Sequence, residues 1–333
     1  MGAAKGGRLL AGIIFTLALA LPSLADGRFL KEFALTRTED SLSFVWASDL
    51  HYRSRILYNY GATPAGLKAI VTETGLSGAD FLALTGDLLH GLDPAERLKR
   101  DLGEIRSILK DCPVPVLALM GNHDDGSYYA RNKRSGALLS EEDFFTALGM
   151  PERAKGYYFA DFPKSRIRVI CLNSSDCPRQ PLPDGSYERY PIDYYSFGAG
   201  QLRWLALEAL RMERDWGAVI LTHVDTAHKS PTAEQQGFEE AQSILEAFAS
   251  GTAVSLPDIG VEADFSAYPS RELIGVFAGH VHRKQIKNPG GAVHIIQGYA
   301  FGRRPDYSGV TVSRSRRRIF ITDSKGNTET VNY

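Results

Sequence analysis

Apolar runs of four to seven residues recur along the chain, and most of them end in a polar cluster. Runs of this length that are bounded by polar residues predict buried strands. Amphipathic segments separate several of the runs, and this alternation predicts a parallel or mixed sheet covered by helices. The predicted strands are Leu42–Ala47, Asp80–Thr85, Val114–Met120, Ile167–Leu172, Ala218–Leu221 and Leu273–Ala278.

Helices are predicted in the segments between these strands. One begins at Pro64, directly after a threonine that can cap it, which is the usual place for proline in a helix. Another follows Pro94, and its apolar side chains fall on one face. Two further helices are predicted at Ser140–Leu148 and Gln201–Met212.

The C-terminal part carries three more strand-like runs, Val293–Gln297, Gly309–Ser313 and Ile319–Thr322, which predict a mostly antiparallel layer. The basic stretch Arg314–Arg318 lies between the last two, so a solvated hairpin is a better interpretation than a nucleic-acid arm. Because the formal net charge of the 333-residue chain is -1, we do not expect a nucleic-acid partner. No repeat or linker divides the chain, which predicts one domain over residues 26–333.

Residues 1–25 have the pattern of a secretory signal peptide. A basic start at Lys5 and Arg8 precedes the apolar run Leu9–Leu21, and small residues lead to a cleavage site near Ala25. The apolar run is shorter than the roughly 20 residues that span a membrane, so we expect no stable membrane anchor. An uncleaved anchor is the alternative. We therefore expect a secreted or periplasmic protein after cleavage.

Three cysteines leave two interpretations open. An oxidising compartment permits one disulfide, and Cys171 with Cys177 is the closest pair. Cys171 also fits a buried small apolar residue within its predicted strand. The segment Cys177–Phe197 is rich in Pro, Tyr, Asp and Gly without periodicity, which predicts a long loop and a candidate lid or substrate rim.

The polar clusters at the strand ends hold side chains that bind metals. His51 lies two residues after Asp49, and residues two apart on an extended strand point to the same side. Five of the eight histidines directly follow predicted strands, which favours one shared site over five separate structural histidines. Carboxylate and imidazole groups suit first-row metals. The clusters supply seven candidate ligands, Asp49, His51, Asp87, Asn122, His223, His280 and His282.

Seven ligands can hold two metal ions if one carboxylate is shared, and two ions roughly 3.5 to 4 Å apart suit in-line displacement at phosphorus. The order of the motifs resembles the signature of the calcineurin-like metallophosphoesterases, in a secreted, bacterial-type member. The matching motifs are Asp49-x-His51, Gly86-Asp87, Gly121-Asn122-His123-Asp124, His223 and Gly279-His280-x-His282.

This resemblance implies an α/β fold with four layers, an α/β/β/α sandwich in which mixed sheets carry helices on their outer faces. It implies two divalent or trivalent ions, for which Mn, Fe, Zn and Co are all suitable. A hydroxide that bridges the ions would be the nucleophile. His123 would donate a proton or support the transition state. The implied ligand groups share Asp87: Asp49, His51 and His282 for one ion, and Asn122, His223 and His280 for the other.

One position departs from the family pattern. In the protein-phosphatase branch, a carboxylate that orients the catalytic histidine stands where this chain has His90. An imidazole cannot favour protonation of His123 as a carboxylate would. Either Asp124 or another carboxylate does this work, or His123 acts as a neutral donor. The departure argues against a Ser/Thr protein phosphatase, and Leu89, in place of a tyrosine, argues against a purple Fe(III) centre.

We expect a metal-dependent hydrolase of phosphomonoesters or phosphodiesters of small molecules, such as nucleotides or cyclic nucleotides. The alternative is a metal-binding or receptor protein that kept the ligands and lost most of its activity. Asp87 and His123 are the predicted catalytic residues. Arginine and tyrosine side chains near the motifs are weaker candidates for substrate contacts. The candidate substrate contacts are Asn122, Arg53, Tyr128 and Arg283.

Overall fold

The computed structural model describes residues 27–52, 64–133, 136–288, 291–300 and 306–333. The predicted signal peptide and Arg53 lie outside these residues. No helix within the described part of the chain is long and apolar enough to cross a membrane.

The described residues form short strands and helices in an order close to the predicted one. The strands are β1 (Leu42–Ala47), β2 (Phe81–Thr85), β3 (Val116–Leu119), β4 (Tyr158–Phe162), β5 (Ile167–Cys171), β6 (Tyr194–Ser196), β7 (Gly217–Leu221), β8 (Glu234–Gln236), β9 (Ala253–Leu256), β10 (Val261–Asp264), β11 (Glu272–Ala278), β12 (Gln285–Lys287), β13 (His294–Ile296), β14 (Ser308–Ser313), β15 (Arg318–Asp323) and β16 (Thr328–Asn332). The α-helices are α1 (Arg28–Thr36), α2 (Pro64–Ser77), α3 (Ala95–Leu109), α4 (Ser127–Lys133), α5 (Glu141–Leu148), α6 (Ala199–Trp204) and α7 (Phe238–Ser250), and a π-helical turn at Leu205–Ala209 continues α6.

The first sheet joins a parallel half to an antiparallel half, in the order β16-β15-β14-β1-β2-β3. β1 and β2 pair in parallel, as do β2 and β3. β14 runs antiparallel to β1, and the last three strands form a meander. The basic stretch Arg314–Arg318 lies at the turn between β14 and β15, as the sequence predicts.

The second sheet has the order β12-β13-β11-β7-β5-β4. Its four central strands are parallel, and the two edge strands run antiparallel to their neighbours. The prediction that the C-terminal runs form a mostly antiparallel layer is wrong for β13, which pairs in parallel with β11 in the second sheet. A short apolar run predicts a strand but carries no information on its partner.

Three apolar layers separate the helices and sheets, which confirms the predicted four-layer α/β/β/α sandwich. Between the sheets, the ring of Phe277 packs edge-on against Phe44 and Trp46, with centroids 5.5 and 5.3 Å apart. Helices α1, α2, α3 and α5 cover the first sheet, and α6 and α7 cover the second. Val45 faces the helices while Trp46 faces the other sheet, which explains why β1 is apolar throughout.

The three cysteines are all free. Cys171 is completely buried in the layer between the sheets. Burial raises the pKa of its thiol to about 12. The interpretation as a buried apolar residue therefore describes Cys171 better than the disulfide does.

Candidate metal centre

Loops from both sheets meet at one edge of the sandwich and are tied together by hydrogen bonds. The backbone N–H groups of Asp49 and His51 donate to the carbonyl oxygens of Gly86 and Asp87, at 3.0 and 2.9 Å. The N–H of His280, 231 positions further along the chain, donates to both carboxylate oxygens of Asp49 at 3.2 and 3.0 Å. The first, second and last of the predicted motifs are therefore in direct contact.

Asp49, His51, Asp87 and His282 form a first cluster, with donor atoms within 4.8 Å of one another. Nε2 of His282 lies 3.2 Å from Oδ1 of Asp49 and 3.0 Å from Nε2 of His51. Nε2 of His51 lies 3.8 Å from Oδ2 of Asp87. Two imidazole nitrogens and two carboxylates thus converge on one point.

Asn122, His223 and His280 form a second cluster. Oδ1 of Asn122 lies 3.0 Å from Nε2 of His223 and 3.1 Å from Nδ1 of His280. Nε2 of His223 also lies 3.3 Å from Oδ2 of Asp87, the oxygen that faces His51 in the first cluster. Asp87 therefore stands between the two clusters, and the structure brings all seven predicted ligands together.

The spacing of the donor atoms fits bound metal ions. Ligand atoms about 2.0–2.1 Å from one ion lie about 3.0–3.4 Å from each other along the edges of its coordination shell. Five of the six separations given above, 3.0 to 3.3 Å, fall in this range, and the sixth, from His51 to Asp87, is wider at 3.8 Å. The two nitrogens that face each other in the His51–His282 pair also require a proton or a cation between them.

Five of the seven cluster residues have a left-handed backbone. Their φ angles are +55° at Asp49, +46° at His51, +50° at Asp87, +71° at His280 and +57° at His282. In the described part of the chain, only three other non-glycine residues share this conformation. Such a conformation costs about 1–3 kcal/mol in an L-residue, and strain of this kind collects at functional sites. The fold therefore holds these side chains in place against the preference of their own backbone.

Two glycines provide the space behind the ligands. A Cβ atom at Gly121 would clash with the backbone and carboxylate of Asp87. A Cβ atom at Gly279 would meet the hydroxyl of Ser48 and the carboxylate of Asp49. A side chain at either position would therefore displace a ligand.

Burial lowers the pKa of the imidazoles in the site, whereas the nearby carboxylates raise it. Burial lowers the pKa of His51 to about 4 and, together with the charge of His223, lowers that of His280 to about 3. Burial also opposes protonation of His223, but the charge of Asp87 outweighs it and raises the pKa of His223 to about 9. The pKa of Asp87 lies well below its usual range, because the imidazoles outweigh the effect of burial. The site therefore attracts positive charge, as a metal site must.

His123 lies beside the clusters and is held by different contacts. Its backbone N–H donates to Oδ1 of Asp87 at 2.9 Å. Its Nδ1 lies 3.0 Å from the backbone carbonyl oxygen of His90. A carbonyl only accepts hydrogen bonds, so Nδ1 carries a hydrogen. Nε2 then faces the clusters, 4.0 Å from Oδ2 of Asp87, on a side chain that is 23% exposed.

The structure shows which group orients the His123 ring and excludes a bond from Asp124 to it. The carboxylate of Asp124 accepts the N–H groups of Leu89 and Gly121, both at 2.7 Å, and so ties two loops together without bonding to the imidazole. His90 occupies the position of the family carboxylate and orients the ring through its backbone carbonyl. The sequence draws attention to the His90 side chain, whereas the contact comes from its main chain.

The predicted substrate contacts have different surroundings. The ring of Tyr128 stacks beside that of His123, with centroids 5.8 Å apart, and the guanidinium of Arg131 lies 5.4 Å from the Tyr128 centroid. Arg283 is exposed and forms no ion pair or hydrogen bond with the described residues. Arg53 lies outside the described residues.

Two rings at the site were not identified from the sequence. The ring of Tyr195 lies 4.9 Å from that of His280, and the ring of His228 lies 5.4 Å from it. Tyr195 belongs to the segment Cys177–Phe197, whose length and aromatic content were the only signals that it reaches the site. His228 follows the fourth motif, His223, without any pattern that would single it out.

A buried ion network anchors the same long segment behind the His123 loop. Nη1 of Arg179 donates to both carboxylate oxygens of Glu141 at 2.8 and 2.7 Å, and its Nε donates to Oδ2 of Asp125 at 3.3 Å. Asp125 is fully buried, two residues after His123, and accepts the N–H of Ser127 at 2.8 Å. The network therefore links the long segment to the loop that carries His123.

A four-layer sandwich with two donor clusters at the strand ends defines a class of metal-dependent hydrolases. The sequence model of the family described as Calcineurin-like phosphoesterase matches residues 42–284. The chain belongs to this family, and the protein is therefore a hydrolase of phosphoric ester bonds. Curated proteins give no match to the sequence.

Solved structures show the same fold in distant proteins. The chain is similar to a dimetal phosphatase from Danio rerio, with a TM-score of 0.60 and 13% identity over 88% of this chain and 99% of the other. It is also similar to the purple acid phosphatase PPD1 from yellow lupin (Lupinus luteus) seeds, with a TM-score of 0.54 and 13% identity over 89% of this chain and 54% of the other. Identities this low establish the shared fold and leave the substrate to the chemistry of the site.

Proposed function

We propose that the protein hydrolyses phosphomonoesters or phosphodiesters of small molecules, nucleotides and cyclic nucleotides among them, at a centre of two metal ions. The observation that carries this proposal is the pair of donor clusters that share Asp87. Two ions that share a carboxylate can bind both the attacking and the leaving oxygen of an in-line displacement. One ion would be held by Asp49, His51, His282 and Asp87, and the other by Asn122, His223, His280 and Asp87.

The donor set suits Mn, Fe, Zn or Co, because oxygen and imidazole ligands do not select among them. When bound, the ions supply Lewis acidity to the phosphoryl oxygens and lower the pKa of water. Once metal binding has displaced the proton of His223, the second cluster apart from the shared Asp87 consists of neutral amide and imidazole groups. This composition limits the negative charge that an anionic substrate meets.

His123 is the proposed proton donor to the leaving oxygen. Because its Nδ1 is bonded to the His90 carbonyl, Nε2 is the atom available to the substrate. In the imidazolium form, Nε2 gives its proton to the leaving oxygen, while the hydrogen on Nδ1 stays with the carbonyl. Proton transfer by a positioned side chain contributes about 10²–10⁴-fold to a rate. The bond from the His123 backbone to Asp87 keeps the donor close to the shared ligand.

We also propose that residues 1–25 direct export and are removed near Ala25, so that the enzyme acts in the periplasm or outside the cell. The basic start and the short apolar run of this segment support the proposal. N-terminal sequencing of the protein recovered from the periplasmic or culture fraction tests it. A chain that still begins at Met1 in the membrane fraction would favour an uncleaved anchor.

A screen of phosphomonoesters and phosphodiesters with the cleaved protein, loaded with each metal in turn, tests the proposed activity. We expect Asp87→Asn and His123→Ala to lower turnover at least about 100-fold. Asp161→Asn is the control, because Asp161 pairs with Arg168 away from the clusters. Full activity in both site variants would refute the proposal. Two bound ions without turnover of any substrate would support the alternative of a metal-binding or receptor protein.

A further inference from the structure

Tyr195 lies in a small sheet that stands apart from the two main sheets. Strands β6 and β8 pair in parallel, with Tyr195 opposite Gln235. The two strands come from the segments that follow β5 and β7. The side-chain amide of Gln235 donates to the backbone carbonyl of His228 at 2.9 Å. The small sheet therefore fixes Tyr195 and His228 relative to each other.

Both rings pack against His280, a proposed ligand of the second ion. The ring planes of Tyr195 and His280 make an angle of 80°, and those of His228 and His280 an angle of 86°. Tyr195 is only 7% exposed. Together, Tyr195 and His228 form a wall of the site beside the second cluster.

The hydroxyl of Tyr195 forms no hydrogen bond within the described part of the chain. It is not completely buried, so a bound molecule can reach it. The neighbouring Tyr194, by contrast, donates its hydroxyl to the side chain of Gln236. Tyrosines buried to this degree usually bond their hydroxyl. Burial, together with the charges of Asp87 and Asp193, raises the pKa of Tyr195 to about 12, so the phenol keeps its proton near neutral pH. A partly accessible hydroxyl without a partner among the described residues, on a ring that packs against His280, is available to a molecule bound beside the second cluster.

We propose, on the basis of the proposed function, that Tyr195 is a substrate-binding residue whose hydroxyl donates a hydrogen bond to a phosphoryl oxygen of the bound ester. A phenol is a protonated donor near neutral pH. A hydrogen bond to an anionic oxygen is about twice as strong as one to a neutral acceptor. Negative charge is spread over the phosphoryl oxygens in the transition state, so the same bond assists the reaction. His228 supports the wall beside the tyrosine.

Tyr195→Phe tests this role, because it removes only the hydroxyl. Tyr194→Phe is the matched control on the same strand. Binding of inorganic phosphate to the metal-loaded protein is measured by calorimetry, without turnover. We expect Tyr195→Phe to weaken phosphate binding about 10-fold and to lower kcat/KM about 10–100-fold for any ester that the protein hydrolyses. Tyr195→Phe should keep the metal content and Tm of the wild type. In Tyr194→Phe, phosphate affinity and kcat/KM should stay within about 2-fold of the wild type.

Three results have distinct meanings. Wild-type phosphate affinity in Tyr195→Phe overturns the proposal. Loss of a bound ion in that variant also overturns it, because the hydroxyl would then be a metal ligand. If the wild type binds phosphate without hydrolysing any ester, and Tyr195→Phe binds it more weakly, the assignment of Tyr195 holds and the proposed function fails.

Discussion

The imidazole of His123 is oriented by the backbone carbonyl of His90, whose oxygen lies 3.0 Å from Nδ1. Every residue type carries this carbonyl, so the departure from the family pattern at position 90 leaves the orientation of His123 intact. The ring of His90 lies 6.2 Å from that of His123. The backbone N–H of His123 is bonded to Asp87, so main-chain contacts at both ends place this histidine beside the shared ligand.

Removal of the His90 side chain should therefore leave proton donation by His123 unchanged. We expect kcat/KM of His90→Ala to stay within about 5-fold of the wild type, with an unchanged pH–rate profile, whereas His123→Ala loses about 10²–10⁴-fold. The pH dependence of kcat/KM for both variants provides the measurement. A displaced acidic limb in His90→Ala would show that the ring, rather than the carbonyl, controls His123.

The two clusters should lose their ions in different ways. His282→Ala removes a 41% exposed ligand from the first cluster alone, whereas Asp87→Asn removes the carboxylate that both clusters share. We expect about one ion to remain in the first variant and weak binding at both sites in the second. Metal analysis of the dialysed proteins measures this. Equal metal loss in the two variants would contradict a shared role for Asp87.

Metal binding should displace protons. The pKa of His223 is about 9 in the metal-free protein, so this imidazole carries a proton at neutral pH, and a metal ion binds only its neutral form. The apparent affinity should therefore rise with pH by about tenfold per unit for each proton released, until the pH passes the pKa of His223. Calorimetry with Mn²⁺ in buffers of different ionisation enthalpy counts the protons. We expect at least about one at neutral pH and fewer near pH 9. A constant number across this range would contradict the prediction.

Arg179 should be important for stability. Arg179→Gln leaves the carboxylates of Asp125 and Glu141 without their counterion in an environment where the Arg179 side chain is only 11% exposed. Breaking a buried ion pair in this way costs about 3–5 kcal/mol. Lys99→Gln is the control, because the Lys99–Asp143 pair is exposed and contributes about 0–1 kcal/mol. Urea unfolding of both variants measures the difference. A similar loss in the two would show that the buried network does not stabilise the fold.

The sequence predicted the strands and the candidate ligands because both depend on local signals, whereas the four-layer sandwich was implied by the resemblance to the family. The strands that precede the motifs or the long segment are mostly buried on both faces, so they appear as continuous apolar runs. These six predicted strands differ from the observed ones by at most two residues at either end. The ligands follow these strands directly. Since parallel strands end at one edge of a sheet, their residue types and positions predict a common site.

Only the tertiary structure decided which strands pair and which side chains bond to backbone groups. The short apolar run at β13 does not show that the strand pairs with β11. The carboxylate of Asp124 accepts the N–H groups of Leu89 and Gly121, and only the structure brings these groups together. Tyr195 reaches the site because a two-stranded sheet from two distant segments holds it there.

By itself, the sequence determined which residues can bind metals and that strand ends bring them to one edge, because residue type and hydrophobic period are local properties. The structure decided how those residues are held. It shows that five of the seven ligands have left-handed backbones and that the His90 carbonyl orients the His123 ring. It also shows that the Tyr195 hydroxyl has no partner among the described residues. All three features depend on main-chain positions and on contacts between distant segments. A linear pattern of side chains cannot carry that information, because these contacts exist only once the two sheets have packed.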